Sequence, residues 1–400
     1  MVSSFALASW AAWLVVFGIA WTVRSRAYAI YRGITLGLQV LIASALVPYF
    51  GRAFPAIVYL HATVFVSALV LIQPKLRGLA YRATISVPSA FFAAGTLLAW
   101  PWAIVAAFGF TPHGAWLPYL LAGIGIVQSL STREEARDVV VADGENVEGL
   151  KRHTPGALRV ARPLKVIQIT DPHLGPFMSV ARLRRICERA VARQPDLVVL
   201  TGDFLTMESH ERPDLLAAAL EPLKALEGRT FACLGNHDHE ALETVQYALA
   251  HAGVHLLVDD AAEVATPAGL VQILGFDFVW RGREEHLARV TAAHPRRADA
   301  LRLLLLHDPS AFRHLPAGEG DLVLSGHTHG GQVGFVSLGL PWTLMRWFVS
   351  APDHGLWARG VDRLYVHRGT GHYGFPLRLG VPSEESVLNV HAGILAPAPA

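Results

Sequence analysis

Residues 325–332 read Ser-Gly-His-Thr-His-Gly-Gly-Gln. Two imidazoles one residue apart cannot share a helix face. His327 and His329 therefore reach one point only from a tight turn, which Gly326, Gly330 and Gly331 permit. Residues 322–325 read as the end of a buried strand, and a strand delivering ligands at its C-terminal end is how an α/β protein builds a site. Four further apolar segments end in the same way. Asp171-Pro172-His173 follows 166–170, Gly202-Asp203 follows 197–201, Gly235-Asn236-His237-Asp238 follows 230–234, and His307-Asp308 follows 303–306. Turns favour Gly, Asn and Asp, which accounts for any one of these endings. Turn preference does not call for histidine at four separate strand ends.

A donor set of carboxylate, imidazole and amide oxygen, without thiolate, suits two divalent metal ions such as Mn, Fe or Zn. Paired hydrolytic metals sit about 3.5–4 Å apart, so one ligand should bridge them, and a carboxylate suits that role. Such a pair makes a bound water acidic enough to attack near neutral pH and draws in an anionic substrate.

In this order, Asp-x-His, Gly-Asp, Gly-Asn-His-Asp, a lone His after an apolar strand and Gly-His-Thr-His resemble the calcineurin-like metallophosphoesterase family across about 164–389. The resemblance implies an α/β domain of α-β-β-α sandwich type. It implies Asp171, His173 and His329 on one metal, Asn236, His307 and His327 on the other, and Asp203 bridging. His237 would face the scissile phosphate, with Asp238 orienting its ring. Pro172 replaces the aliphatic residue usual in the first motif, and an extended strand end tolerates it. A membrane-embedded N-terminus, the Gly-Gly-Gln after the second histidine and Arg368-Gly369 resemble a bacterial subgroup similar to UDP-2,3-diacylglucosamine hydrolases. The implied activity is metal-dependent hydrolysis of a phosphodiester or pyrophosphate, lipid-linked substrates included. The alternative is a catalytically silent metal-binding sensor or regulatory membrane protein. Retention of His237, which is not an implied ligand, favours the enzyme.

The elements that must position these residues alternate. Strands are expected at 166–170, 197–201, 230–234, 271–275, 303–306 and 322–325, and amphipathic helices at 180–193, 215–226, 241–252 and 284–293. That order predicts a sheet covered on both faces within a domain of 164–392. Residues 133–163 read as a linker with one short strand at 137–142, and 393–400 as a tail.

Upstream the composition changes. The chain of 400 residues is 52% hydrophobic and 16% charged, with no Asp or Glu before Glu134. Apolar runs at 5–23, 34–50, 56–73, 85–110 and 116–130 predict a transmembrane bundle of about five helices within 1–132. Arg24, Arg26 and Arg32, then Lys75, Arg77 and Arg82, lie between alternate runs. By the positive-inside rule those loops face the cytoplasm, and five spans leave the catalytic domain there as well. The expected setting is a multi-pass protein of a bacterial inner membrane, with membrane lipids as neighbours. Trp100-Pro101-Trp102 marks a break in the fourth run. His61 is the one ionisable group well inside a span, and packing by a hydrogen bond to a neighbouring helix is the reading favoured over a functional path.

A net charge of +2 and the lack of a basic, aromatic-interleaved patch argue against nucleic acid as a partner. Cys187 and Cys233 read as buried thiols. His210, His239, His251, His255, His286, His294, His314 and His391 read as exposed, and His367 and His372 as rim residues. The Trp-containing apolar stretch 336–348 suits either a lipid surface or the core.

Overall fold

The computed structural model describes residues 2–142, 144–372 and 376–393; the Ala-Pro tail lies outside them. Among the described residues the chain forms two compact units, one of 2–130 with 376–379 and the other of 131–372 with 380–393.

In the N-terminal unit, Ser4–Val23, Arg26–Tyr49 and Gly51–Val70 are long and apolar enough to cross a bilayer. Leu79–Leu98 and Trp100–Ala107 form a pair bent by 55°. The bend falls at the expected Trp-Pro-Trp break, where Pro101 supplies no N–H to carry the helix through. The last apolar helix, Leu117–Ser129, has only 13 residues. At 1.5 Å per residue it reaches about 20 Å, against a hydrocarbon core of about 30 Å. Against the five spans expected, three helices among the described residues are long and apolar enough to cross, or four if the bent pair crosses as one. The second helix also starts at Arg26, well before residue 34, because the Ser25 hydroxyl caps it by accepting the Tyr28 N–H at 3.2 Å. His61 Nε2 lies 3.0 Å from Ser9 Oγ, among the rings of Phe5, Phe65 and Phe92. Helix-to-helix packing is its role here.

The second unit is built on two mixed sheets. Its strands in chain order are β1 (Thr132–Val141), β2 (Val147–Arg152), β3 (Leu164–Ile169), β4 (Leu197–Thr201), β5 (Thr230–Cys233), β6 (His255–Leu256) and β7 (Asp260–Thr266). Then come β8 (Gly269–Gly275), β9 (Leu301–Leu305), β10 (Leu322–Ser325), β11 (Gly355–Gly360), β12 (Asp362–Val366) and β13 (Ser383–Ala392). One sheet runs β1-β13-β3-β4-β5-β6 and the other β2-β11-β12-β10-β9-β8-β7.

Period-2 alternation sorts each strand's side chains between two layers. In β3, Leu164 and Val166 join Leu197, Val199, Ile273, Leu303, Leu305, Leu322 and Leu324 in a core between the sheets. Ile167 and Ile169 point the other way, into a core with the helices Val180–Ala192, Pro213–Leu220 and Leu242–His251. Helix Arg283–Ala293 covers the outer face of the second sheet through Leu287 and Val290. The result is the α/β sandwich expected, with each fully buried Leu, Ile or Val contributing about 1.5–3 kcal/mol.

Helix Val180–Ala192 shows how local sequence sets this layer. Ser179 caps it, and Leu183, Ile186, Cys187 and Ala190 form its buried stripe. The helix expected at 215–226 ends at Leu220 and continues as a 3₁₀ turn, Glu221–Leu226, where Pro222 breaks the α pattern. Both cysteines are free and buried.

The stretch read as connector differs most from expectation. Residues Thr132–Val141 pair in parallel with β13 from Thr132↔Ser383 to Val141↔Ala392, and Val147–Arg152 pairs antiparallel with β11. Both are edge strands, and their charged outer positions hide the apolar face that periodicity would reveal. The ion pairs Arg189–Glu385 and Arg193–Glu134 tie this edge to the helix layer.

Candidate metal centre

β3, β4 and β5 are mutually parallel in one sheet, as are β8, β9 and β10 in the other. Their C-terminal ends therefore emerge on one side in each sheet. The two layers are joined at this edge by Gln168, whose Nε2 donates to Thr201 Oγ1 at 2.8 Å and to the Ser325 carbonyl at 3.0 Å. Ligands leaving either sheet meet here.

They form two groups, Asp171 with His173 and His329, and Asp203 with His307 and His327, whose donor atoms in each group lie within 4.8 Å of one another. In the first group His173 Nε2 is 3.2 Å from His329 Nε2, with the rings stacked, and His329 Nε2 is 3.3 Å from Asp171 Oδ1. In the second, His307 Nε2 lies 3.4 Å from Asp203 Oδ2, and the His307 and His327 rings are 5.1 Å apart. The same Asp203 oxygen lies 3.7 Å from His173 Nε2 in the first group. One carboxylate atom thus reaches both clusters.

The ligands are held by neighbours. His307 Nδ1 lies 2.5 Å from the Thr201 carbonyl and donates to it, which turns Nε2 towards the site. Asp171 accepts the Thr170 hydroxyl at 2.7 Å and the His327 N–H at 3.0 Å. Asp203 Oδ1 accepts the His237 N–H at 2.9 Å. The backbone is under strain where the ligands sit: Asp171, His173, Asp203, His327 and His329 all have positive φ, between 45° and 67°. Left-handed backbone at a residue other than glycine costs about 1–3 kcal/mol, and such strain collects at functional sites. Gly202, at φ +88°, lies so near the Gly235 nitrogen that no β-carbon fits there. This is why a Gly-Asp pair ends β4.

Electrostatics match the crowding. Asp171, His173, Asp203 and His307 are all at most 2% exposed. Burial disfavours the charged form, but the facing histidines, His329 foremost, hold the Asp171 carboxyl well below the usual carboxylate range. Burial pushes the His173 imidazole down to about 3. His307 resists burial through the Asp203 charge and is raised to about 10. Anionic carboxylates facing histidines whose Nε2 atoms converge to 3.2–3.4 Å form a donor set that fits cations. Asn236 adds to that fit, because its buried Oδ1 makes no hydrogen bond.

Asp238 is placed differently from expectation. Its carboxylate does not orient His237. Oδ2 accepts the N–H groups of Asp203 and Gly235, and Oδ1 that of Phe204, each at 2.8 Å. Burial and the Asp203 charge push this carboxyl up to about 7, while the N–H donors oppose them. Asp238 is a positioning residue that pins the Gly202-Asp203 turn to the Gly235-Asn236 turn. The His237 ring, 5.8 Å from that of His173, is instead held by Glu240 through Nδ1 at 2.9 Å. Burial works against its charged form, yet the Glu240 bond and Asp203 raise it above the ordinary histidine range. Glu240 was missed in the sequence. Its one signal was its i+3 spacing from His237.

Arg368 lies below the surface at 4% exposure, with its guanidinium on Glu135 at 2.8 Å and Glu384 at 3.4 Å. It ties the edge strand β1 to its neighbour β13 behind the metal turn. Of the histidines read as exposed, His286 and His391 are buried, on Asp259 at 2.8 Å and Asp138 at 3.3 Å. His367 and His372, read as rim residues, are buried too.

A two-sheet sandwich with paired carboxylate–histidine clusters at one edge is the arrangement of a metallohydrolase. Residues 164–331 match the calcineurin-like phosphoesterase family. The chain is 30% identical over 238 residues to "Phosphodiesterase YaeI" of Escherichia coli (strain K12), covering 58% of this chain and 83% of that protein. It is equally 30% identical to an "Uncharacterized metallophosphoesterase" of Helicobacter pylori (strain J99), with 61% of this chain and 65% of the relative covered. "Transmembrane protein with metallophosphoesterase domain" of Danio rerio is 30% identical, over 55% of this chain and 52% of that protein. This chain belongs to the calcineurin-like phosphoesterase family. It is a metallophosphoesterase, a hydrolase of phosphoester bonds, that carries N-terminal helices long and apolar enough to cross a membrane.

Proposed function

We propose that this enzyme hydrolyses a phosphodiester or pyrophosphate carried by a membrane lipid. The observation that carries the reading is the single Asp203 oxygen lying 3.4 Å from His307 Nε2 and 3.7 Å from His173 Nε2. Asp171, His173 and His329 would hold one divalent ion, and Asn236, His307 and His327 the other, with Asp203 between them. When bound, the ions supply an acidified water and positive charge for the phosphate. Asp203 is fixed for this role by the His237 N–H on its other oxygen. His237 keeps Nδ1 on Glu240, which turns Nε2 towards the departing alkoxide as the proton donor, and the Glu240 bond and the Asp203 charge favour its protonated form against burial. Apolar helices in the same chain support a substrate that resides in the bilayer.

The test uses the detergent-solubilised full chain with Mn²⁺ on lipid-linked pyrophosphates, phospholipids, nucleotides and an aryl phosphodiester. Lipid-linked substrates should turn over fastest, and nucleotides turning over faster would overturn the lipid assignment. His237→Ala should slow alkoxide-releasing substrates by about 10²–10⁴-fold. It should slow a nitrophenyl ester far less, since nitrophenolate leaves without an acid; equal losses on both would remove His237 from the acid role.

For topology, we propose a multi-pass protein of a bacterial inner membrane in which the three long helices cross while the bent pair and the 13-residue helix do not, an odd count that leaves the catalytic unit cytoplasmic. Arg24 and Arg26 on one side of the first turn, and Lys75, Arg77 and Arg82 further on, support the orientation. A fluorescent protein fused after the C-terminus should fold and fluoresce. A dark fusion, paired with activity of a periplasmic phosphatase fused at the same point, would reverse the orientation.

A further inference from the structure

The chain directly after the metal turn carries an apolar surface that no hydrolytic step requires. Phe335 N–H donates to the Trp342 carbonyl and Leu344 N–H to the Val333 carbonyl, both at 2.8 Å. At its base the Thr343 and Thr328 hydroxyls both donate to Asp353, at 2.6 Å each. The loop is thus a folded projection braced on the residue between His327 and His329. Its outer face is apolar. Leu338 is 75% exposed, Trp347 64% and Phe348 79%, with Leu340, Trp342 and Val349 beside them. Trp342 and Trp347 pack edge to face at 5.1 Å. Elsewhere in the described part of this unit, large apolar side chains are exposed singly, as at Tyr247, Val258, Trp280 and Val361. Scattered exposure is ordinary, whereas a contiguous patch marks an interaction surface.

We propose that residues 335–349 form a membrane-docking surface that inserts into the interfacial region of an anionic lipid bilayer. Charge complementarity selects this occupant. No Asp or Glu occurs from 332 to 352, Arg346 is exposed within the loop, and exposed Arg313 holds the Ser350 carbonyl at 3.3 Å at its margin. Tryptophan and phenylalanine beside arginine are the residues that settle at headgroup depth, with rings at the acyl boundary and guanidinium groups on lipid phosphates. The catalytic unit is also joined directly to the apolar helices, since it begins at Ser131, two residues after the apolar helix Leu117–Ser129 ends. Docking through this loop presents the metal turn to phosphoesters at headgroup depth. The surface itself does not depend on which substrate the enzyme takes.

Fluorescence quenching of the full-length protein tests this without using turnover. The two native cysteines are buried, so Leu338→Cys, Phe348→Cys and a Tyr247→Cys control each label at a single site with a bimane probe. The protein is placed in phosphatidylethanolamine–phosphatidylglycerol nanodiscs carrying a nitroxide high on the lipid chain, and aqueous iodide is added separately. Probes at 338 and 348 should be quenched severalfold more by the lipid nitroxide than the probe at 247, and protected from iodide. Iodide-accessible probes at 338 and 348 with no lipid quenching would overturn the proposal. Shielding from both quenchers would overturn it too, by assigning the patch to a second copy or to other parts of this chain. Folding of each variant is checked by Mn²⁺-dependent hydrolysis of the aryl phosphodiester, and two separate loop positions keep the test decisive if one variant fails.

Discussion

Asp203→Asn should lose metal-dependent hydrolysis of an aryl phosphodiester by about a thousandfold, some 4 kcal/mol of transition-state stabilisation. The asparagine keeps an oxygen where Asp203 Oδ1 accepts the His237 N–H at 2.9 Å, so the turn has no reason to collapse. What disappears is the negative charge facing both His173 and His307. Losing it should release metal from both clusters together, because the same atom serves each. A purified, metal-loaded Asp203→Asn protein retaining activity within tenfold of the parent would refute the bridging role.

Asp238→Ala should be the most destabilising single change at this edge of the fold. Removing the carboxylate strands the N–H groups of Asp203, Phe204 and Gly235 in a place where Asp238 itself is 0% exposed. An unsatisfied buried donor costs about 1–3 kcal/mol, so three cost at least about 3 kcal/mol. For a unit of this size that is a fall in Tm of roughly 6–12 °C. Asp238→Asn, which keeps one acceptor oxygen, should fall in between. A Tm for Asp238→Ala within about 2 °C of the parent would show that these bonds do not hold the two turns together. If Asp238 instead acted on the His237 ring, the alanine variant would lose rate while keeping its stability.

These two residues also show what was legible in the sequence and what was not. The ligand types could be read because they follow strands β3, β4, β5, β9 and β10, which are apolar on both faces and stand out as short hydrophobic runs. Their histidines have no use in a turn. The role of Asp238 could not be read, because an aspartate beside a histidine in sequence looks like its partner. The backbone at His237 and Asp238 directs the carboxylate back under the preceding turns while the ring meets Glu240. Strands β2, β6, β7, β11, β12 and β13 escaped, and only the 137–142 end of β1 was expected, for a different reason. β1 is Thr-Arg-Glu-Glu-Ala-Arg-Asp-Val-Val-Val, an edge whose charges carry the ion pairs to Arg189 and Arg193 through the neighbouring Glu385 and its own Glu134. Its pairing partner β13 lies some 250 residues away, so no local pattern announces it. In the membrane part, hydropathy located the apolar runs but not their lengths as helices. The Ser25 cap and the break before Pro101 moved those boundaries.

In the proposed centre, side chains between 171 and 329 cage two cations side by side. Elemental analysis of the full chain, purified in detergent, dialysed against a weak chelator and reloaded with Mn²⁺, tests it most directly. The geometry predicts close to two equivalents of Mn per chain, with spin coupling between them in the paramagnetic resonance spectrum, and loss of both in Asp203→Ala. One uncoupled equivalent, or two that survive the loss of Asp203, would contradict it.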